Sequence, residues 1–208
     1  MTLELWLAFV AASTALLLIP GPTVLLVLSY ALSQGRRVAV SSAAGVALGD
    51  FVAMTASLLG LGALVLASAT LFTALKWIGA AYLVWMGWKL LSRPRSDGLE
   101  TMTPPDSTAR HVFRHAAIVT ALNPKSIAFF IAFVPQFVRL DAPLLPQFTI
   151  LVATFVALAA LNALAYALLA DRLRQTIRRP TVITGLTRAG GLALISMGVL
   201  TATLRRAG

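Results

Sequence analysis

Ile19-Pro20-Gly21-Pro22 cuts through the first apolar stretch of this chain, and Leu122-Asn123-Pro124-Lys125 cuts through another about a hundred residues later. Proline removes a backbone donor and clashes with the carbonyl four residues back, so each motif ends a helix. Each motif also starts one. Asn123 suits an N-cap and Pro124 the first helical position, where a missing N–H costs nothing, and Gly21-Pro22 repeats that logic. Breaks at corresponding places in two apolar stretches are the pattern of half-helices meeting inside a membrane around a transport site. The alternative is a pair of structural kinks satisfied by neighbouring helices.

The composition around these motifs is that of a lipid-embedded chain. Of 208 residues, 59% are hydrophobic and 12% charged, against about 45–50% and about 25% in soluble domains. Crossing a bilayer takes about 20 apolar residues. Six runs of that order lie at about 5–33, 38–66, 70–91, 113–138, 145–170 and 182–204. Glu4 and the lack of basic residues before the first run argue against a cleaved signal peptide. The segment at about 92–112 carries Pro94, Gly98, Pro104 and Pro105 among charges and reads as a loop. It divides one transporter domain, 1–208, into halves of about 1–91 and 113–208. The fold expected is all-α: a polytopic membrane protein of six transmembrane helices, with helices 1 and 4 broken.

The halves look related. Gly79, Met86 and Gly87 have counterparts at Gly190, Met197 and Gly198, each 111 positions on. Pro22 and Pro124 are 102 apart, and Asp50 and Asn162, each a lone polar residue in an apolar run, are 112 apart. One insertion of about ten residues aligns them all. A repeat of three spans reverses direction, so the two repeats are expected to be inverted.

The net charge of +10 would suggest nucleic acid in a soluble protein, but here the basic residues cluster at span ends. Arg36, Arg37, Lys89, Arg93, Arg95, Arg110, Arg114, Arg172, Arg174, Arg178, Arg179 and Arg188 fall on one side. Lys76, Arg139, Arg205 and Arg206 fall on the other. The richer side is cytoplasmic. The central loop is therefore expected inside and the C-terminus outside. The N-terminus is outside with six spans, or inside if the first run does not cross.

Lys125 lies one residue past the second break, too deep to snorkel to either interface. A lysine there costs about 2.5–3.5 kcal/mol on insertion scales and needs protein, water or a partner. Asp50 is the one acidic residue inside a span, behind Gly45 and Gly49, whose spacing allows close helix approach. It is a candidate proton carrier, or the fixed partner of Lys125. The half-helix N-termini at Gly21-Pro22-Thr23 and Asn123-Pro124-Lys125 suit a carboxylate. Asn162, Gln136 and Tyr82 are further candidates to line a cavity. His111 and His115 lack carboxylate or thiolate neighbours, so no metal site is expected.

No cysteine is present, which excludes disulfides, thiol redox chemistry and thiolate metal sites. No nucleophile elbow, His-Glu-x-x-His helix or nucleotide loop occurs, so neither catalysis nor direct use of ATP is expected, and no cofactor is called for. Rival readings are a cation or metal-ion transporter using Asp50, and a structural membrane protein whose breaks are only kinks. A hard cation wants several oxygens, and one carboxylate beside a lysine is a poor set. Small residues on several spans permit a homodimer.

The ordered set Pro20-Gly21-Pro22-Thr23, Gln34-Gly35-Arg36-Arg37, Gly45 and Gly49-Asp50 resembles the N-terminal signature of the LysE/RhtB amino-acid exporters. Gly79-Ala80-Ala81-Tyr82-Leu83 and Gly87-Trp88-Lys89 resemble that family's third span. Leu122-Asn123-Pro124-Lys125 and Phe133-Val134-Pro135-Gln136-Phe137 resemble its fourth. Where the family usually carries Asn after Pro-Gly-Pro, this chain has Thr23. The resemblance implies an exporter of amino acids or close derivatives in the bacterial inner membrane, driven by the proton motive force. Other small metabolites are also carried within the family.

Overall fold

Local capping explains where the helices start. In a computed structural model describing residues 1–19, 21–34, 36–92, 108–139, 141–177 and 180–203, α1 (Leu3–Leu18) begins at Thr2, whose hydroxyl accepts from Leu5 N–H at 3.3 Å. Glu4 in the first turn suits the positive end of the helix dipole. α2 (Pro22–Gln34) and α3 (Arg36–Ala67) follow. Ser68 caps α4 (Ala69–Leu91) through Leu71 N–H at 3.3 Å, so one residue separates two long helices. Thr108 caps α5 (Ala109–Ala121), and Asn123 caps α6 (Pro124–Ala132). A 3₁₀ turn carrying Pro135, Val134–Phe137, precedes α7 (Leu144–Ile177) and α8 (Pro180–Thr203). Pro20 and the loop residues 93–107 lie outside the described residues, as do the side chains of most of the basic residues counted for topology.

Among the described residues the chain is helical with no strand. Val40–Ala63, Leu144–Ala170 and Thr184–Thr203 are each long and apolar enough to cross a membrane. α1 with α2, and α5 with α6 and the 3₁₀ turn, qualify as bent pairs, at 57° and 44°, which makes up to five spans. The third apolar run became α4, which holds Lys76 and Lys89 and is not among those helices. The breaks expected in helices 1 and 4 are thus present, each as two helices meeting at a sharp bend.

Glycine decides how closely the helices approach. A Cβ on Gly45 would lie 2.3 Å from Phe113 carbonyl oxygen, and one on Gly49 2.5 Å from that of Ala117, so α3 and α5 touch backbone to side. α4 and α8 meet the same way, Gly87 against Gly191 and Gly198 against Ala80. α3 also packs on α7. Beyond the second break, Phe129, Phe130, Phe133 and Phe137 join Phe9 of α1 and Phe155 of α7 in edge and tilted ring contacts, with centroids 4.8–6.1 Å apart. Gln147 ties the turn before α7, accepting from Arg139 N–H at 2.8 Å and donating to the carbonyls of Arg139 and Pro143. On that turn, a hydrogen bond from Arg139 holds the exposed Asp141 carboxyl below its usual range.

Overpacking a tight seam typically costs about 1–3 kcal/mol. Gly45→Ala should lower the thermal midpoint of the purified protein by several degrees. Gly60→Ala, where an added Cβ meets nothing within 4 Å, should leave it unchanged. Equal midpoints for the two variants would show that the α3–α5 seam yields to a methyl group.

Candidate functional site

The two breaks meet. α1 ends at Ile19, where the backbone turns extended and its N–H reaches back to Leu16 carbonyl at 3.2 Å. The ammonium of Lys125 donates to the carbonyls of Leu16 and Ile19, both at 3.0 Å. One turn of α7 supplies Asn162, whose amide donates to Leu17 carbonyl at 3.2 Å. The last carbonyls of a helix have no partner inside it. Here three of them are met by side chains from the other half of the chain. A cation at the negative end of a helix dipole is also favourable electrostatically.

Across the breaks, Asn123 works at both ends of its side chain. Its carbonyl oxygen accepts from Lys125 N–H at 3.1 Å, as an N-cap, and its amide donates to Thr23 hydroxyl at 3.2 Å. Thr23 and Thr120 hydroxyls lie 3.3 Å apart. Gly21 accepts from Leu25 N–H at 3.0 Å as α2 begins. A Cβ on Gly21 would come to 3.4 Å from the Lys125 ammonium, so the missing side chain leaves that cation its place.

These residues enclose a cavity of about 30 Å³ lined also by Val24, Val27, Val46, Asp50, Ser126, Ala159, Ala163 and Tyr166. That volume holds water, which needs about 10–15 Å³ on this measure, and not an amino acid. Asp50 is 2% exposed, and its Oδ1 has no hydrogen-bond partner. Asp50 and Lys125 share the cavity without forming an ion pair: among the described residues the pair within bonding range is Arg139–Asp141. The site therefore presents a buried carboxylate, an ammonium with one donor beyond its two carbonyls, and the starts of α2 and α6.

Of the residues singled out from sequence, Gly21, Thr23, Asp50, Asn123, Lys125 and Asn162 line this cavity. Pro22 and Pro124 open α2 and α6 beside it. Gln136 sits elsewhere, donating to Thr201 hydroxyl at 2.6 Å. Tyr82 stacks on Trp85 at 5.4 Å, away from the lining. Thr120, Ser126 and Tyr166 were not singled out. Thr120 lies one turn before Asn123 and Tyr166 one turn after Asn162, and that i, i+3/i+4 spacing was their signal. No group of three or more His, Asp or Glu able to hold a metal occurs among the described residues.

Comparison with known proteins identifies the family. The family described as LysE type translocator matches residues 14–205, and the chain belongs to it. It is 35% identical over 207 residues, the whole of both chains, to a homoserine/homoserine lactone efflux protein of Salmonella typhimurium. It is 34% identical over 205 residues to an uncharacterized membrane protein of Vibrio cholerae, covering 99% of this chain and 100% of that one. A leucine efflux protein of Klebsiella pneumoniae is 29% identical over 139 residues, 66% of this chain and 65% of its own. No solved structure matches.

If Asn123 and Thr23 join the breaks, the two residues are coupled. A double-mutant cycle of Asn123→Ala and Thr23→Val, read by unfolding in mixed micelles, should give a coupling of about 0.6–1.7 kcal/mol. Additive effects within about 0.3 kcal/mol would mean the two broken ends are held together by other contacts.

Proposed function

We propose that this LysE type translocator exports an amino acid or close derivative across the bacterial inner membrane, driven by the proton motive force. The observation that carries this reading is the convergence of both broken helices on one cavity holding a buried carboxylate whose Oδ1 has no hydrogen-bond partner. A zwitterion needs an anion site and a cation site close together. The first turns of α2 and α6, with the third donor of Lys125, serve the carboxylate. Asp50 serves the ammonium group or the coupling proton. The remaining lining is mostly Val and Ala, which favours a substrate with an uncharged side chain. Full-length similarity to a homoserine/homoserine lactone efflux protein supports the same class.

The architecture that fits this activity has six spans in two inverted repeats, with α4 as the third. α4 packs on α8 and α3 on α7, which are the contacts an exchange of the two halves would map onto themselves. The basic-residue bias puts the 92–112 loop in the cytoplasm and the C-terminus outside. On that orientation the phenylalanine cluster closes the outer path, and Val24, Val27 and Tyr30 face the inner one. The cavity admits substrate when the half-helices part.

Reconstituted vesicles with an imposed pH gradient test the coupling. Asp50→Asn should abolish uphill export at least tenfold, while downhill exchange persists. An Asn variant that still concentrates substrate would make Asp50 structural.

Orientation is read separately. A reporter fused at Gly98 should work only if it is active inside, and one at Gly208 only if active outside. Reversed signals would refute the assigned orientation.

A further inference from the structure

The end of α1 is built like a site for a monovalent metal ion. Carbonyls exposed where a membrane helix unwinds are oxygen ligands for sodium in transporters of broken-helix design. Here the Leu16 and Ile19 carbonyls converge on one point, with the Asp50 carboxylate and Ser126 on the walls of the same cavity. Hard oxygens of this kind, including a carboxylate with an unpartnered Oδ1, are what an alkali cation binds. The point of convergence is filled by the Lys125 ammonium, 3.0 Å from each carbonyl.

We propose that Lys125 is a tethered substitute for a sodium ion. Its ammonium carries the same charge, meets the same carbonyls and cannot diffuse away. The intact protein therefore neither binds nor needs sodium, and removing the side chain uncovers a sodium site at the Leu16 and Ile19 carbonyls, with the Asp50 carboxylate on the wall of the same cavity and beyond direct contact with that point. Gly21 belongs to this arrangement, because a side chain there would press on the ammonium at 3.4 Å. The proposal goes beyond the export reading and does not depend on which solute is carried.

The test is the thermal midpoint of the purified full-length protein in sodium chloride against choline chloride at equal ionic strength. The intact protein should show no difference. Lys125→Ala should be destabilised in choline and recover in sodium, saturably, by about 5–10 °C when sodium is a hundredfold above its Kd. Lys125→Ala combined with Asp50→Asn should lose most of that recovery. Propylammonium, which replaces the deleted group, should also stabilise Lys125→Ala and leave the intact protein unmoved. A folded Lys125→Ala indifferent to both cations overturns the proposal. So does sodium raising the midpoint of the intact protein. If Lys125→Ala folds only when sodium is present throughout purification, the proposal is supported. If it folds in neither salt, Lys125→Gln decides: sodium must stabilise it more than the intact protein, and an equal response sinks the idea. Because the readout is stability, failure of the export reading would leave these outcomes unchanged.

Discussion

A helix that stops inside a bilayer leaves carbonyls that lipid cannot satisfy. Everything around the first break follows from that constraint. Leu16, Leu17 and Ile19 present such carbonyls, and Lys125 and Asn162 meet them from the other half of the chain. The exchange also makes a mid-membrane lysine tolerable. Charge-assisted hydrogen bonds contribute about 1.5–3 kcal/mol each. Two of them offset an insertion cost of about 2.5–3.5 kcal/mol. Asp50 has no such compensation at Oδ1.

The site combines charged and neutral residues from both halves of the chain. Lys125 stands 102 residues after Thr23, and Asn162 stands 112 after Asp50. All four line the one cavity. One half thus contributes a carboxylate and a hydroxyl, the other an ammonium and an amide. The broken end of α1 receives a cation, while Thr23 brings only a hydroxyl to Thr120 near the end of α5. A site with one acid and one base placed asymmetrically can orient a zwitterion. Two identical half-sites could not tell its ends apart.

The breaks were legible in the sequence because Pro, Gly and Asn act on their own backbone. Asn123 caps α6 and Pro124 occupies its first position through local geometry alone. A close approach to the Gly45–Gly49 face of α3 was also legible, since the two lie one turn apart, but that α5 is the helix that fills it was not. The partner of Lys125 was not. Its candidates were a substrate carboxylate or Asp50, whereas the ammonium sits on main-chain oxygens, and any residue type supplies those. The link from Thr23 to Thr120 and Asn123 was hidden for a similar reason: it exists only once the two breaks share a depth. Gln136 looked like a cavity residue because it is polar in an apolar run, but a hydroxyl on α8 satisfies it. Aliphatic runs carry length and not partner: the run at about 70–91 reads as a third span, yet α4 with its two lysines is not among the helices that qualify to cross on length and composition.

The same packing separates what can move from what cannot. The α3–α5 and α4–α8 seams are backbone contacts through glycine, closer than any Cβ allows, and such surfaces do not slide without losing all their dispersion contact at once. The ends of α1, α2, α5 and α6 are held instead by a handful of hydrogen bonds, about 1 kcal/mol each from Asn123, Asn162 and Thr23 and about 1.5–3 kcal/mol each from Lys125. A cavity of about 30 Å³ must grow severalfold to admit an amino acid. Growth at the seams would break the bundle, whereas growth at the breaks exchanges protein hydrogen bonds for substrate ones. A carboxylate can take the third donor of Lys125, and a substrate ammonium can take Asp50. The residues that close the cavity are thus the residues that would bind what opens it.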